Sequence, residues 1–470
     1  MNKKQFSLGI LSAATATLAL LASSSASAAN FQLTEMSAAS LGRAHSGGAA
    51  AAEDASSVWY NPAGLEELKN SEILGGYALI RFGADFSKTS ATDAIGQPLS
   101  GGNGGSVGKL GGPMFVYYSK PLSDQLTFGF GLNTPFGLAT KYDNDSIFRY
   151  QAIYSSVSVL NYNPTLAWRV APNFSLGFGI DYQQMNVKLT NAVDFGAICF
   201  GELNPVTCTA NGLTPQGHDG FFSAQASGHG TGWNLGALWD INSDMRLGFA
   251  YRSSVSHDLS GNASFTNVPL LFTGITQFEN QGISSSFETP RIISLSYLQK
   301  LNDQWTLTAD WSNTGWSSFD NLTINFANKS TTPVVVDEGL SNSNRFSIGA
   351  DYLYSSAWTF RGGLALDKTP VPDPSAPCNT TTYNAATTAA CTNAVSASRT
   401  ARLPDDTRRW IAVGASWHVS DHSQWDIGYA HLFLGGSVPF NQLNANGDDH
   451  IVGTFKADAD ILGVDYRYQF

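Results

Sequence analysis

The sequence predicts an all-β fold: a 14-stranded antiparallel transmembrane β-barrel with an N-terminal hatch inside its lumen. Three observations predict it. Large apolar residues alternate with small or polar ones in segment after segment. The connections between segments alternate between short and long. The chain also opens on an export signal, yet no later stretch could cross a membrane as a helix.

Composition narrows the class before any motif is read. The 470 residues are 13% charged and 43% hydrophobic, whereas soluble domains run near roughly 25% charged. Gly 46 and 12% aromatics suit many strands with tight bends. A net charge of −11 makes polyanions poor partners, so no nucleic-acid role is expected.

Residues 1–28 read as a secretory signal. Lys3 and Lys4 form the positive end, Leu8 to Leu21 is the apolar stretch, and Ala26-Ser27-Ala28 is a small-residue cleavage site. The mature chain is expected to begin at Ala29. After residue 28 no apolar run approaches the roughly 18 residues of a spanning helix. The exported chain is therefore soluble or crosses a membrane as strands. Cys199 and Cys208 are close in sequence, as are Cys378 and Cys391. Two local disulfides pinning two loops are expected in an oxidising compartment. No CxxC spacing or adjacent His accompanies them, so neither metal nor other cofactor is expected.

Residues 29–70 do not alternate. They are rich in Ala, Gly and Ser, with short helices expected around Ser37–Leu41 and Pro62–Leu68. A compact segment ahead of the first strand should fold inside the lumen as a hatch.

Residues 71–470 carry the barrel. In Phe174-Ser-Leu-Gly-Phe-Gly-Ile-Asp-Tyr182 the even positions are large and apolar. Met245–Arg252, Trp305–Trp311, Arg345–Tyr352, Trp425–His431 and Leu462–Phe470 repeat the pattern. Successive side chains on a strand point to opposite faces. The small faces hold Gly, Ser, Asp and Arg rather than Lys and Glu, which favours a lumen over a solvated sheet surface. Trp168, Trp239, Trp305, Trp358, Trp417 and Trp425 sit at segment ends, as an interfacial girdle requires. Six short turns and seven long polar connections make fourteen strands, the outer-membrane plan.

An enzyme is not expected. Gly104-Gly105-Ser106-Val107-Gly108 matches a nucleophile-elbow pattern but lies in a glycine-rich loop, without strand–turn–helix context.

The stretch from Phe31 to Gly48, then Asn61-Pro62-Ala63-Gly64, resembles the hatch of the FadL-type outer-membrane transporters of long-chain fatty acids and aromatic hydrocarbons. The likeness continues at Gly137–Thr140, Trp233-Asn234, Tyr251–Ser253, Trp358–Arg361 and Pro370–Pro372. It implies a route. An apolar cargo lands in a groove between the third and fourth outer loops, moves to an inner pocket near the N-terminus, and leaves sideways through a kink in the third strand.

The resemblance and the residues together nominate a site. Phe31 and Leu33 should touch the inner ligand. The positions of the family's carboxylate-binding bases read Asn191 and Thr323 here, with Lys188 on the same strand as a substitute. An unpaired buried carboxylate is expensive, so this shifts the cargo toward neutral hydrocarbons. The outer groove would use Phe195, Ile198, Phe200, Phe221 and Phe222 from the third loop. The fourth would add Leu270, Leu271, Phe272, Ile275 and Phe278; packing of the loops against each other explains the same residues equally well. Asn61, Pro62 and Ala63 would gate the hatch, and Asn133, Pro135 and Gly137 the wall.

The expected function is uptake of hydrophobic compounds, long-chain fatty acids or related hydrocarbons, by facilitated diffusion. The alternatives are a general porin or an outer-membrane lipid hydrolase. Expected partners are the cargo, outer-membrane lipid and lipopolysaccharide, and the barrel-assembly machinery. The chain is expected to act as a monomer.

Overall fold

The computed structural model describes residues 30–108, 110–319, 321–337, 339–371, 400–402, 405–443 and 449–470. The expected signal, Cys378 and Cys391 lie outside them.

The wall is a closed, antiparallel, 14-stranded barrel. Its first traverses are β1 (Glu72–Asp93), β2 (Met114–Ser123), β3 (Leu126–Lys141), β4 (Tyr154–Ala171), β5 (Phe174–Asp194) and β6 (Asp219–Asn242). Three interrupted traverses follow: β7 (Met245–Arg252 with Val255–Thr266), β8 (Gln281–Thr289 with Ile292–Lys300) and β9 (Trp305–Thr314 with Asn321–Phe326). The last five are β10 (Ser343–Ser355), β11 (Trp358–Asp367), β12 (Arg408–Ser420), β13 (Ser423–Leu434 with Val438–Leu443) and β14 (Asp449–Gln469). β1 pairs with β14 from Glu72↔Gln469 to Asp93↔Asp449, which closes the sheet. Every backbone polar group at bilayer depth can then find a partner within the wall.

Side-chain parity divides that wall. On β5, Leu176, Phe178, Ile180 and Tyr182 face out, while Ser175, Asp181, Gln183 and Met185 are buried inside. The six tryptophans of the expected girdle are all exposed. Trp358 stacks on Trp417 with centroids 5.9 Å apart, and Trp417 pairs across the strands with Trp425. All three flank short turns, where indole rings suit a membrane–water boundary.

The short turns fall where the sequence places them, between Ser123 and Leu126, Ala171 and Phe174, and Ser420 and Ser423 among others. The long connections are shorter than the sequence suggests. β6 has 24 residues, over twice the roughly 9–11 that a tilted membrane strand needs. It continues outward through Asp219–His229, paired with β5 and β7. Alternation fades over Ser223–Gly228 because both faces carry Ser, Ala, Gly and Gln rather than lipid-facing bulk.

Residues 30–68 are buried or half-buried and pack against the inner face of the wall. Two short helices meet the sequence expectation: α1 (Ala38–Leu41), capped by Ser37, and a 3-10 helix at Pro62–Glu67. Two more, α2 (Gly48–Ala51) and α3 (Ser57–Tyr60), are four residues each. That is too short for a periodic signal.

Charge pairs fasten this segment to the wall. Asp465 accepts from the Ala38 amide at 2.6 Å. Arg43 is 2.6 Å from Glu53 and 2.8 Å from Asp351. Arg246 bonds Glu67, and Arg345 donates to the Ala44 carbonyl. Removing one member of such a buried pair leaves an uncompensated charge, commonly about 3–5 kcal/mol.

Inward glycines let the hatch backbone approach. A Cβ on Gly236 would lie 2.0 Å from Asn61 Oδ1, and one on Gly177 2.4 Å from the Ala63 nitrogen. Asn61 uses that proximity. Its Nδ2 donates to the carbonyls of Ala49 at 2.6 Å and Ala237 at 3.0 Å, and its Oδ1 caps the 3-10 helix at Ala63. The Asn61-Pro62-Ala63 turn is thus an anchor point against β5 and β6.

Candidate functional site

The wall is incomplete at one place, and local sequence explains why. β2 starts only at Met114. Ahead of it, Leu110 and Gly111 pair with Arg81 and Ile80 of β1, and the chain turns through Gly112-Pro113. β3 pairs with β2 only as far as Asn133↔Phe115, and its register with β4 slips between Asn133 and Phe136. Pro135 has no N–H to offer a ladder, which suits a bulge.

The edge of β3 that β2 leaves is taken up by the hatch. Gln32 bridges Phe136, the Leu33 amide donates to the Pro135 carbonyl at 2.9 Å, and the Gly137 amide donates to the Phe31 carbonyl at 2.9 Å. Residues 31–33 therefore act as a short surrogate strand. A polar chain backs the kink from inside. Asn161 Nδ2 donates to Asn133 Oδ1 at 3.1 Å and to Asp181 at 2.9 Å; Asp181 also holds Arg252, which lies 4.0 Å over the Trp59 ring of the hatch.

A cavity of ≈ 300 Å³ opens behind this break. Leu110, Gly111, Gly112 and Thr134 line it on the wall side, the two edges of the gap. Leu33, Ile80, Phe82, Leu138, Leu432 and Ile461 make its apolar body. Asn30, Glu35, Asp405 and Arg408 form one polar end.

Phe31 pins the surrogate strand. It is buried, with ring centroids 4.7 Å from Trp316, 5.7 Å from Phe287, 6.0 Å from Phe136 and 6.2 Å from Phe319. Removing a caged phenylalanine typically costs about 3–5 kcal/mol. Phe31→Ala should therefore free residues 31–33 without unfolding the barrel. Amide exchange at Leu33 and Gly137, whose hydrogen bonds close this contact, should quicken on the order of a hundredfold. Unchanged exchange would show that Phe31 is not the peg.

The remaining predicted residues divide. Leu33 and Gly137 line the cavity beside Phe31. Lys188 does not reach it. It is exposed on the face of β5 that carries Tyr182, Gln184 and Asn186, because it shares their parity. The substitute base expected at Lys188 is thus corrected to the outer surface. Asn191 Oδ1 instead accepts from Arg402 Nη2 at 3.2 Å, and Thr323 bonds Asn321. The cationic groups near the pocket, Arg402 and Arg408, come from the far end of the chain and were missed. The pairing of Arg408 Nη2 with the Asn30 carbonyl at 2.9 Å spans 378 residues.

The ten outer-loop residues also separate. Phe195 and Phe272 are buried, and with Phe278 they form a ring cluster at 5.0–5.6 Å over the Cys199–Cys208 disulfide. Ile198 and Phe200 pack on its edge, while Phe222 packs against another buried cluster with Leu189 and Ile324. Phe221 packs on the main barrel core. Leu270, Leu271 and Ile275 are exposed. The disulfide lies across α4 (Phe195–Glu202) and α5 (Pro205–Ala210), as one of the two expected local bridges. Among the described residues no cluster fits a metal ion.

A closed 14-stranded wall around a packed lumen segment, with a largely apolar pocket at a wall break, defines a hatch-plugged outer-membrane transport barrel. The chain matches the family described as outer membrane protein transport protein (OMPP1/FadL/TodX) over residues 19–379 and 389–470. It belongs to that family.

It is 26% identical over 473 residues to the long-chain fatty acid transport protein of Escherichia coli O6:H1, covering 97% of this chain and 98% of the relative. It is 27% identical to outer membrane protein P1 of Haemophilus influenzae, covering 99% and 100%. Among solved structures, a Pseudomonas aeruginosa FadL homologue superposes with a TM-score of 0.81 at 21% identity, covering 94% of this chain and 100% of that one. The Ralstonia pickettii toluene transporter TbuX gives 0.61 at 18% identity, covering 92% and 98%.

Proposed function

We propose that this protein takes up hydrophobic compounds, long-chain fatty acids or related hydrocarbons, by facilitated diffusion with lateral exit through the wall. The single observation that carries this reading is the ≈ 300 Å³ cavity whose outer edge is the gap between Gly112 and Thr134, covered by hatch residues 31–33. Each buried CH₂ is worth about 0.8 kcal/mol, so a largely apolar pocket can draw an apolar molecule out of water. Exit sideways into lipid avoids exposing that surface again. Flow down a gradient then needs only binding that is neither too weak nor too tight.

In this reading the exposed Leu270, Leu271 and Ile275 receive cargo, the buried Phe195, Phe272 and Phe278 shape the loops, and the Asn61 turn and Gly137 kink set the gate. Outer-membrane lipid and lipopolysaccharide surround the wall, and the barrel-assembly machinery inserts it. The closed β1–β14 seam leaves no edge for a partner strand, in keeping with a monomer.

The test is uptake by a strain that lacks the protein, with and without the chain restored, offered fatty acids, alkanes and monoaromatics in parallel. Restoring the chain should raise uptake of at least one hydrophobic class and leave small polar solutes unchanged. Equal uptake of every hydrophobic class with and without it would end the proposal.

A further inference from the structure

The polar end of the inner cavity has a charge balance that bears on the cargo's head group. Arg408 is the cation that lines it, and its Nε and Nη2 donors are already engaged. Nε and Nη2 reach Asp405 Oδ1 at 3.3 and 2.9 Å, and Nη2 also donates to the Asn30 carbonyl at 2.9 Å. Asp367 and Glu35 add two more carboxylates within electrostatic reach of Arg408. Arg345, the other cation near Glu35 and Asp367, is committed to the Ala44 carbonyl. Three carboxylates thus face two guanidinium groups.

Beside this cluster sits a side chain with nothing to bond. Asn30 is 5% exposed and lines the cavity, and neither its Oδ1 nor its Nδ2 has a hydrogen-bond partner among the described residues. A buried, unmatched amide is costly unless something fills its sites. It offers one acceptor and one donor group at the same spot, which is the complement of a hydroxyl.

We infer that the inner cavity takes an uncharged hydrocarbon bearing a hydroxyl-type head, with Asn30 as its head-group partner, and that it discriminates against the carboxylate anion. This rests on the uptake reading above and narrows its substrate class. The apolar body accepts the chain or ring. A carboxylate would meet Glu35 and Asp405, while Arg408, the cation that lines the cavity, is already paired with Asp405; a buried anion without its own counter-charge is strongly disfavoured. Burial pushes the Glu35 carboxyl above its ordinary range. A long-chain alcohol or alkylphenol fits this chemistry, and a fatty acid fits it in its undissociated form.

The experiment uses the full mature chain in lipid nanodiscs, with hexadecanol, hexadecane and palmitate each presented at equal free concentration near neutral pH. Hexadecanol should bind at least about tenfold more tightly than palmitate. Asn30→Ala should erase the advantage of hexadecanol over hexadecane. Glu35→Gln combined with Asp405→Asn should narrow the deficit of palmitate. If a variant fails to fold, the wild-type ranking still decides. Palmitate binding as tightly as hexadecanol would overturn the inference while leaving hydrophobic uptake intact. Binding of none of the three would overturn both.

Discussion

Removing residues 30–64 is expected to turn a closed barrel into a conducting pore. Small barrels are filled by their own side chains, whereas larger ones of about 16–18 strands leave an aqueous channel. This wall has 14 strands, so something other than its own side chains must fill it. The hatch does so, with Ala38 on Asp465, Asn61 on Ala237 and Pro62-Ala63 against Gly177. Many of the residues it covers are Gly, Ser, Asp and Arg, which water can solvate once the segment is gone. The closing β1–β14 ladder does not run through the hatch, so the wall should still assemble. Steady currents in planar bilayers should rise at least about tenfold over the intact chain. Unchanged conductance would mean that residues 30–64 are not the plug.

Gly137→Val should cut uptake by about an order of magnitude while the outer loops still bind cargo. A Cβ built on Gly137 falls 2.9 Å from Leu33 Cδ1, with nothing else closer than 3.8 Å. The neighbour is the end of a flexible side chain, so Ala could be accommodated by a small shift of Leu33. Valine is branched and stiff at χ1. It would drive Leu33 into the mouth of the cavity and narrow the gap beside Thr134. Adding Leu33→Ala to Gly137→Val removes the obstruction and should restore much of the lost uptake. Full uptake by Gly137→Val alone would argue that cargo does not pass this kink. Recovery in the double variant separates blockage from misfolding.

Much of this architecture was legible because a strand's parity is printed in its sequence. Phe174–Tyr182 reads as one lipid face and one lumen face, and so it folds. The Gly and Pro of Asn133–Gly137 marked a break in β3, and the register slips there. Other features are invisible to local pattern. The four-residue helices Gly48–Ala51 and Ser57–Tyr60 exist because the lumen clamps them. Lys188 was assigned to the pocket by proximity along the chain, yet its parity with Gln184 and Asn186 turns it outward. The polar end of the cavity joins Asn30 and Glu35 to Asp405 and Arg408. No periodicity links residues at opposite ends of the chain, so only the closed barrel brings them together. The ten apolar loop residues had two readings, and the structure divides them, with Phe195 and Phe272 buried and Leu270 left in solvent.

The most direct test of lateral exit is to fasten the hatch onto β3 and ask whether cargo still moves. Gln32 and Phe136 face each other as an antiparallel bridge flanked by hydrogen bonds from Leu33 to Pro135 and from Gly137 to Phe31. Such non-hydrogen-bonded pairs bring their Cα atoms to about 4.5 Å, inside the roughly 4.4–6.8 Å that a disulfide spans. In the Gln32→Cys/Phe136→Cys variant, oxidation should abolish hydrophobic uptake and reduction should restore it. Undiminished uptake by the fully cross-linked protein would contradict passage through this gap.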